Sequence, residues 1–248
     1  MLRSLYIAST GMLAQRKKMD IVTNNIINID TTGYKKDTLI SKSFKDLMIE
    51  GMSGSPGSGL IGPQNSGVHV DDIVTSFEQG DLEQTGRLTD LALQGEGFFV
   101  VSTPRGPRYT RDGAFAVSPG GYLVNSSGNY VQGTNGNIYV GSDEFTIDEL
   151  GNVIVDDVIV NRLQVVTFGD LTGLEKEGAN MFAVGSAGAA RMATDYAVKQ
   201  GYLESSNVSM AEEMVTMVEL NRAYQVNQRV LTMLDQSLGK TVNEVGKV

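Results

Sequence analysis

Few residues in this 248-residue chain have side chains suited to chemistry. The single histidine, His69, has Asp71 and Asp72 close by, a set that could be drawn as a metal site or as the base of a hydrolase. Side chains alternate along a strand, however, so Asp72 would point away from the other two. A surface histidine is the expectation. Gly57-Ser58-Gly59-Leu60-Ile61-Gly62 spells the G-x-G-x-x-G string of dinucleotide sites. That string works when a strand precedes it and a helix N-terminus follows, presenting N–H groups to a pyrophosphate. Here a Ser/Pro/Gly stretch precedes it and Pro63 follows, so the context is wrong. Asp156-Asp157 and Glu212-Glu213 are adjacent pairs, which cannot face one another as general acid and base. With no cysteine, there is no disulfide frame, thiolate metal site or Cys nucleophile. The inventory predicts no catalytic residue, no metal and no cofactor.

Composition narrows the class further. Hydrophobic residues make up 41% of the chain, enough to bury a core. Twenty basic against 29 acidic residues give −9, which argues against a general nucleic-acid binder. The charge is uneven: the first 50 residues carry +3 and the remainder −12, an asymmetry that suits contacts between copies of the chain. Twenty-nine glycines without a collagen repeat imply many turns and a β-rich section. No uncharged apolar run approaches the ~20 residues of a membrane-crossing helix. The apolar start, Met1 to Ala8, is broken by Ser9-Thr10-Gly11, and its basic cluster (Arg16, Lys17, Lys18) follows instead of preceding. This predicts a chain that stays in the cytoplasm or leaves by a route that reads no cleavable signal.

The elements that would position any site fall into three parts. From residue 2 to about 29, Leu5, Met12, Met19 and Ile26 recur every seven residues, the spacing of one helix face, with Gly11 as a weak point and Gly33 as the stop. Near the other end, Ser209-Met210-Ala211-Glu212 has the spacing of a capping box. Met210, Met217, Tyr224, Leu231, Leu238 and Val245 then hold one heptad line, which predicts roughly 55 Å of helix. Between Met214 and Gly239 only Glu219, Arg222, Arg229 and Asp235 are charged. Amides and hydroxyls fill the other polar positions, as suits helices contacted on several sides. Residues 51–67, rich in Gly and Pro, read as a linker or mobile loop. From about 95 to 185, short β-type runs such as Phe98–Val101, Val153–Val155 and Val158–Val160 alternate with turns. Asp112-Gly113 and Asn135-Gly136 read as hairpin dipeptides there. The predicted fold class is α+β: long terminal helices pairing as a coiled-coil-like element, with a central antiparallel β-rich domain.

Three blocks of residues carry a resemblance. Ser9-Thr10-Gly11-Met12, Asn24-Asn25, Asn28 and Thr32-Gly33-Tyr34-Lys35 form the first. Phe77–Leu82, Leu91–Phe99 and Tyr109-Thr110-Arg111-Asp112-Gly113 form the second. Gly201–Val208, Glu213-Met214-Val215 and Asn221-Arg222-Ala223-Tyr224 form the third. Together they resemble the bacterial flagellar rod and hook proteins over almost the whole chain. The resemblance implies a non-enzymatic axial protein whose paired terminal helices line a helical polymer around an export channel. It implies a β domain outside, a stretch after the first helix that bridges neighbouring subunits, and export through the flagellum's own type III apparatus.

The domains expected on this basis are residues 1–35 with 205–248 for assembly, 36–80 as the bridging segment, and 81–204 as the β domain. The chain is short for the hook protein itself, which leaves a rod protein. The Gly67–Gly86 segment looks distal, and the tail from Leu238 looks like a proximal paralogue. Expected partners are further copies, other rod proteins, the hook protein, the export apparatus and surrounding rings, with no nucleic acid and no small-molecule substrate. Expected subunit contacts are Leu5, Met12, Met19, Asn24, Asn25, Ile26 and Asn28 on the first helix. On the second they are Met210, Met214, Met217, Asn221, Tyr224, Leu231 and Leu238. The alternative is a secreted binding module in which a β domain holds a ligand and the helices merely form a hairpin.

Overall fold

The computed structural model describes residues 2–43, 47–50, 60–64, 67–142, 144–178 and 180–245. Two helices bracket a series of short strands. Helix α1 spans Leu2–Ile27 and helix α2 spans Met210–Val245. The chain divides into two compact units: residues 1–26, 37–74 and 209–248 in one, and 27–36 with 75–208 in the other. No helix among the described residues is long and apolar enough to cross a membrane.

In the first unit Leu5, Met12, Met19 and Ile26, the line read from the sequence, are half-buried on α1, with Ala8, Ala14, Val22 and Asn25 buried beside them. Along α2 the half-buried positions step by three and four: Met217, Leu220, Tyr224, Asn227, Leu231, Leu234 and Leu238. That is the spacing of a coiled-coil seam. Glu212 and Glu213 lie in the first turn of α2, where negative charge meets the positive end of the helix dipole. The strand Asp37–Ser43 pairs with Val68–Thr75. Leu47–Glu50 pairs antiparallel with Leu60–Gln64. The expected 51–67 linker is therefore corrected at residues 60–64, which take a partner strand despite Gly62 and Pro63. Residues 51–59, with the start of the G-x-G-x-x-G string, lie outside the described residues.

The second unit is an antiparallel β structure. Its main sheet runs in the order Leu174–Lys176, Met181–Val184, Gly106–Thr110, Phe98–Thr103, Tyr130–Gly133, Leu123–Val124 and Ala116–Val117. Phe98-Phe99-Val100-Val101 is buried on both faces, which explains an unbroken apolar run where a one-sided strand would alternate with polar residues. Phe99 and Val101 join Leu91, Leu93, Phe115, Leu123, Ile138 and Leu163 in the larger cluster. Phe98 and Val100 join Tyr109, Val166, Phe168 and Phe182 in the other. The β structure extends beyond the expected 95–185. Leu82–Gln84 pairs with Tyr202–Glu204, and Leu91–Gly95 with Tyr196–Gln200, so the end of this unit returns to its beginning.

One turn assignment needs correction and one turn was missed. Asn135-Gly136 does sit at a hairpin, the one joining Tyr130–Gly133 to Gly136–Asn137. Asp112-Gly113 does not. Gly113 instead runs against Leu91, whose N–H donates to the Gly113 carbonyl at 3.1 Å. The two-residue turn missed by the dipeptide rule is Asp156-Asp157, with φ of 50° and 61° between paired Val155 and Val158. Positive φ at both positions is the type I′ geometry, and Asp tolerates it without glycine.

Candidate functional site

The second unit holds a buried charge junction. The Lys35 ammonium lies 2.5 Å from Glu204 Oε1, with both side chains fully shielded from solvent. Arg111, 6% exposed, places Nη1 3.4 Å from the other carboxylate oxygen. Three further bonds complete the shell: Lys35 Nζ donates to the Glu78 carbonyl at 2.7 Å, Arg111 Nη2 to the Gly95 carbonyl at 2.8 Å, and the Gly80 N–H to Glu204 Oε1 at 3.1 Å. The Arg111 guanidinium also stands 5.4 Å over the Phe98 ring. Burial of charge is tolerated only with partners of this completeness. Burial pulls the Lys35 ammonium and the Arg111 guanidinium below their ordinary values, and Glu204 opposes the shift in both.

Local structure brings these groups together. After α1 ends at Ile27, the Thr31 N–H bonds the Asn28 carbonyl at 3.1 Å and the Thr31 hydroxyl bonds Asn28 Oδ1 at 3.3 Å. The helix thus stops six residues before Gly33, and Gly33 forms the following turn, not the stop itself. Its φ is 65°, its N–H donates to the Glu204 carbonyl at 2.7 Å, and a Cβ there would stand 2.5 Å from the Asp112 nitrogen. Gly80 is needed for close approach, because a Cβ would overlap the Ser205 carbonyl. The Thr32 hydroxyl donates to Asp112 at 2.6 Å, and Asn180 Nδ2 to the Thr32 carbonyl at 2.7 Å. Asn207 Nδ2 donates to the carbonyls of Ser76 and Glu78, at 3.0 and 3.1 Å. Burial pushes the Asp112 carboxyl above the usual carboxylate range, against the bonds from Thr32 and the Ala114 N–H. Each recurring block quoted from the sequence sends at least one residue into this network.

In the first unit the corresponding feature is Asn25, 1% exposed. Its amide accepts from the Asp37 N–H at 3.1 Å and donates to the Asp37 carbonyl at 2.9 Å, closing a pairing like that of two strands. Its Nδ2 also lies 3.4 Å from Glu213 Oε2 on α2. Farther along, Asn227 Nδ2 donates to Gln15 Oε1 at 3.2 Å. These two links set the helices antiparallel: Asn25 near the end of α1 meets the start of α2, and Gln15 meets its middle.

Among the residues expected at subunit contacts, Leu5, Met12, Met19, Ile26, Met217, Tyr224, Leu231 and Leu238 are half-buried. Asn25 is buried, Asn28 is half-buried just past the helix, and Asn24, Met210, Met214 and Asn221 are exposed. His69 Nε2 stands 3.8 Å from Asp71, which also takes Lys42 at 2.6 Å. No group of three His, Asp or Glu able to hold a metal occurs among the described residues. Sequence reasoning missed the roles of Lys35, Arg111 and Glu204. Their signal was their place inside the recurring blocks, since neither charge nor spacing marks residues 169 positions apart as partners.

Two antiparallel terminal helices and an antiparallel β unit locked around buried charge are the α+β arrangement expected from the sequence. The comparisons agree. Family models match in three blocks: flagella basal body rod protein over residues 5–35, the flagellar hook protein FlgE/F/G D1 domain over 92–155, and the flagellar basal body rod FlgEFG protein C-terminal region over 199–244. The chain is 34% identical to the flagellar basal-body rod protein FlgG of Bacillus subtilis (strain 168), covering 98% of this chain and 99% of that protein. It is 33% identical to the rod protein FlgF of Caulobacter vibrioides, covering 99% and 98%, and 27% identical to the hook-basal body complex protein FlhO of B. subtilis over both full lengths. The chain belongs to the flagellar basal-body rod protein family, as a structural subunit of the rod.

Proposed function

We propose that this chain polymerises head to tail into the hollow shaft of the flagellar rod, transmitting torque from motor to hook and enclosing the export channel. Residues 1–35 with 205–248 act as the assembly domain, pairing as a coiled-coil-like wall element. Residues 36–80 bridge to neighbours, and 81–204 form the outer β domain. The observation that carries this reading is apolar exposure on both helices. Tyr6 and Leu13 on α1 are 52% and 58% exposed, and Val215, Val226 and Met233 on α2 are 60%, 57% and 66% exposed. A helix needs one apolar stripe to fold against its own chain; apolar groups outside that stripe want another surface. Asn227 on the seam, bonded to Gln15, supports a fixed register, the usual use of a polar seam residue.

The half-buried heptad residues hold the helices together within each copy, while Asn24, Met210, Met214 and Asn221 face neighbouring copies. Other rod proteins and the hook protein are the axial partners, and the export apparatus carries the chain outward without a cleavable signal. The rod's place is the envelope-spanning part of the basal body, within surrounding rings. The role needs no catalysis, cofactor, nucleic acid or small-molecule substrate. Sedimentation of the full chain against concentration tests the proposal. Large assemblies are expected for the wild type, and Leu13→Glu with Met233→Glu is expected to abolish them without changing near-ultraviolet dichroism of the β unit. A wild type that stays monomeric at every concentration would refute the proposal and favour the binding-module alternative.

A further inference from the structure

Two surface features of the β unit lie outside the junction. The first is a protrusion. Residues 156–160 are exposed in succession, at the tip and outgoing arm of the hairpin Asn152–Val155/Val158–Arg162. Val158, Ile159 and Val160 are 63%, 62% and 43% exposed, so neighbouring side chains on opposite faces of one strand are all bare. The turn ahead of them carries two carboxylates, Asp156 and Asp157.

The second is a groove of about 450 Å³ on one face of the main sheet. Met192, 51% exposed, and Pro107 supply apolar surface over a floor of the buried Val100 and Val166, and Ser102, Gln132 and Gln164 neutral hydrogen-bonding groups. No residue lining it is charged, in a chain of net −9. Tyr130, directly opposite Ser102, stacks edge-on with Tyr122, which stacks with Tyr139, and all three are at least 36% exposed. Tyr and Met enriched, with Lys, Glu and Asp excluded, is the composition of the centre of a protein interface. Charge adjoins the end formed by Gly106 and Pro107. There Arg105 and Arg108 share one carboxylate, Glu177, at 2.8 and 2.6 Å, but Arg108 stands opposite Val101 on the other face of the sheet, so Arg105 is the cation at the groove. The Arg105 side chain is 78% exposed.

We infer that the 152–162 hairpin of one copy seats Val158, Ile159 and Val160 in the Val100–Met192 groove of the next, with Asp156-Asp157 turned toward Arg105. The inference rests on the proposed homopolymer and specifies one of its contacts. Apolar knob meets uncharged groove, and an acidic tip meets a basic end, which fixes the direction of insertion. Knob and groove are different patches of one compact unit, so the contact is heterologous and propagates along a filament instead of closing a dimer.

The absence of cysteine makes the test clean, because introduced thiols are the only ones. Full-length Ile159→Cys and Ser102→Cys chains are mixed, assembled and mildly oxidised. A disulfide joining the two variants, lacking when either is assembled alone, is expected. Arg105→Gln and the Asp156→Asn/Asp157→Asn pair should each raise the concentration needed for assembly about three- to tenfold, and together no further. Assembly without the 159–102 disulfide overturns this contact and leaves the polymer standing. Fully additive charge effects overturn it likewise. Failure to assemble at any concentration removes the polymer and this contact with it.

Discussion

Lys35 and Glu204 are 169 residues apart in sequence and 2.5 Å apart in space, with neither side chain reached by solvent. One belongs to the segment that follows α1 and the other to the last strand before α2, so the pair ties the first stretch of the β unit to its last strand. A buried pair is poor evidence of net stability but strong evidence of fixed geometry, since misplacing either partner strands the other.

The junction holds two cations and one carboxylate, so its three members should not be equal. Glu204→Gln leaves Lys35 and Arg111 buried together and should cost about 3–5 kcal/mol, the penalty of an uncompensated buried charge. Lys35→Met leaves Arg111 still 3.4 Å from Glu204 and should cost clearly less. Urea denaturation followed by tyrosine fluorescence would rank them, and equal costs would mean that the hydrogen bonds to Glu78 and Gly80 outweigh the charges.

Asp112 gives a pH signature. Its folded-state pKa is raised above 3.8, with burial as the main cause. The folded state therefore holds the proton more tightly, and the stability this contributes is complete below pH 3.8 and lost as pH rises through the folded value. Asp112→Asn keeps an oxygen to accept from Thr32 and the Ala114 N–H while removing the charge. The variant should gain on the wild type as pH rises from 3.5 to 7. A difference between the two that is flat over that range would contradict the assignment.

The periodic parts of the fold were legible because one physical rule governs each. Seven-residue spacing in Leu5, Met12, Met19 and Ile26, and again in Met217, Tyr224 and Leu231, reports a helix with one covered face. The run Phe98–Val101 was legible as a short strand, and the structure covers it on both faces. What stayed hidden depends on closeness between distant segments. Gly113 looks like a turn residue, yet it runs against Leu91. Asn25 looks like one of several surface amides beside Asn24, yet it holds the Asp37 backbone. Residues 60–64 look like linker because Gly and Pro are common there, and they pair through a partner strand instead. The junction residues Lys35, Arg111 and Glu204 look like surface charges for the same reason.

Asn25 should be intolerant of an isosteric acid. Asn25→Asp retains an acceptor for the Asp37 N–H but loses the donor to the Asp37 carbonyl, and it sets a carboxylate beside Glu213 in a buried site. Asn25→Ala loses both Asp37 bonds without adding charge, at about 1–3 kcal/mol for the stranded backbone groups. The acid should therefore be the worse variant at pH 7, and should recover toward the alanine variant on acidification. Thermal melts of both variants at pH 7 and 4.5 would decide it. An aspartate variant as stable as wild type at pH 7 would mean that the Asp37 pairing contributes little.

Glycine substitutions can separate backbone strain from crowding. Gly128 has φ of 78° and open space around a built Cβ, so Gly128→Ala carries only the left-handed backbone penalty, about 1–2 kcal/mol. Gly33 has nearly the same φ, 65°, but its Cβ would press on the Asp112 nitrogen and the Arg111 carbonyl, at 2.5 and 2.8 Å. Those are backbone atoms of the segment that carries Arg111 into the junction, so they cannot swing aside as a side chain could. Gly33→Ala should cost at least twice what Gly128→Ala does. It should also expose the amides of Thr32–Lys35 and Arg111–Gly113 to faster hydrogen exchange, because relief of the clash means parting those two segments. Faster exchange confined to residues 32–35 would show that the turn alone yields and that the Arg111 segment keeps its place without it.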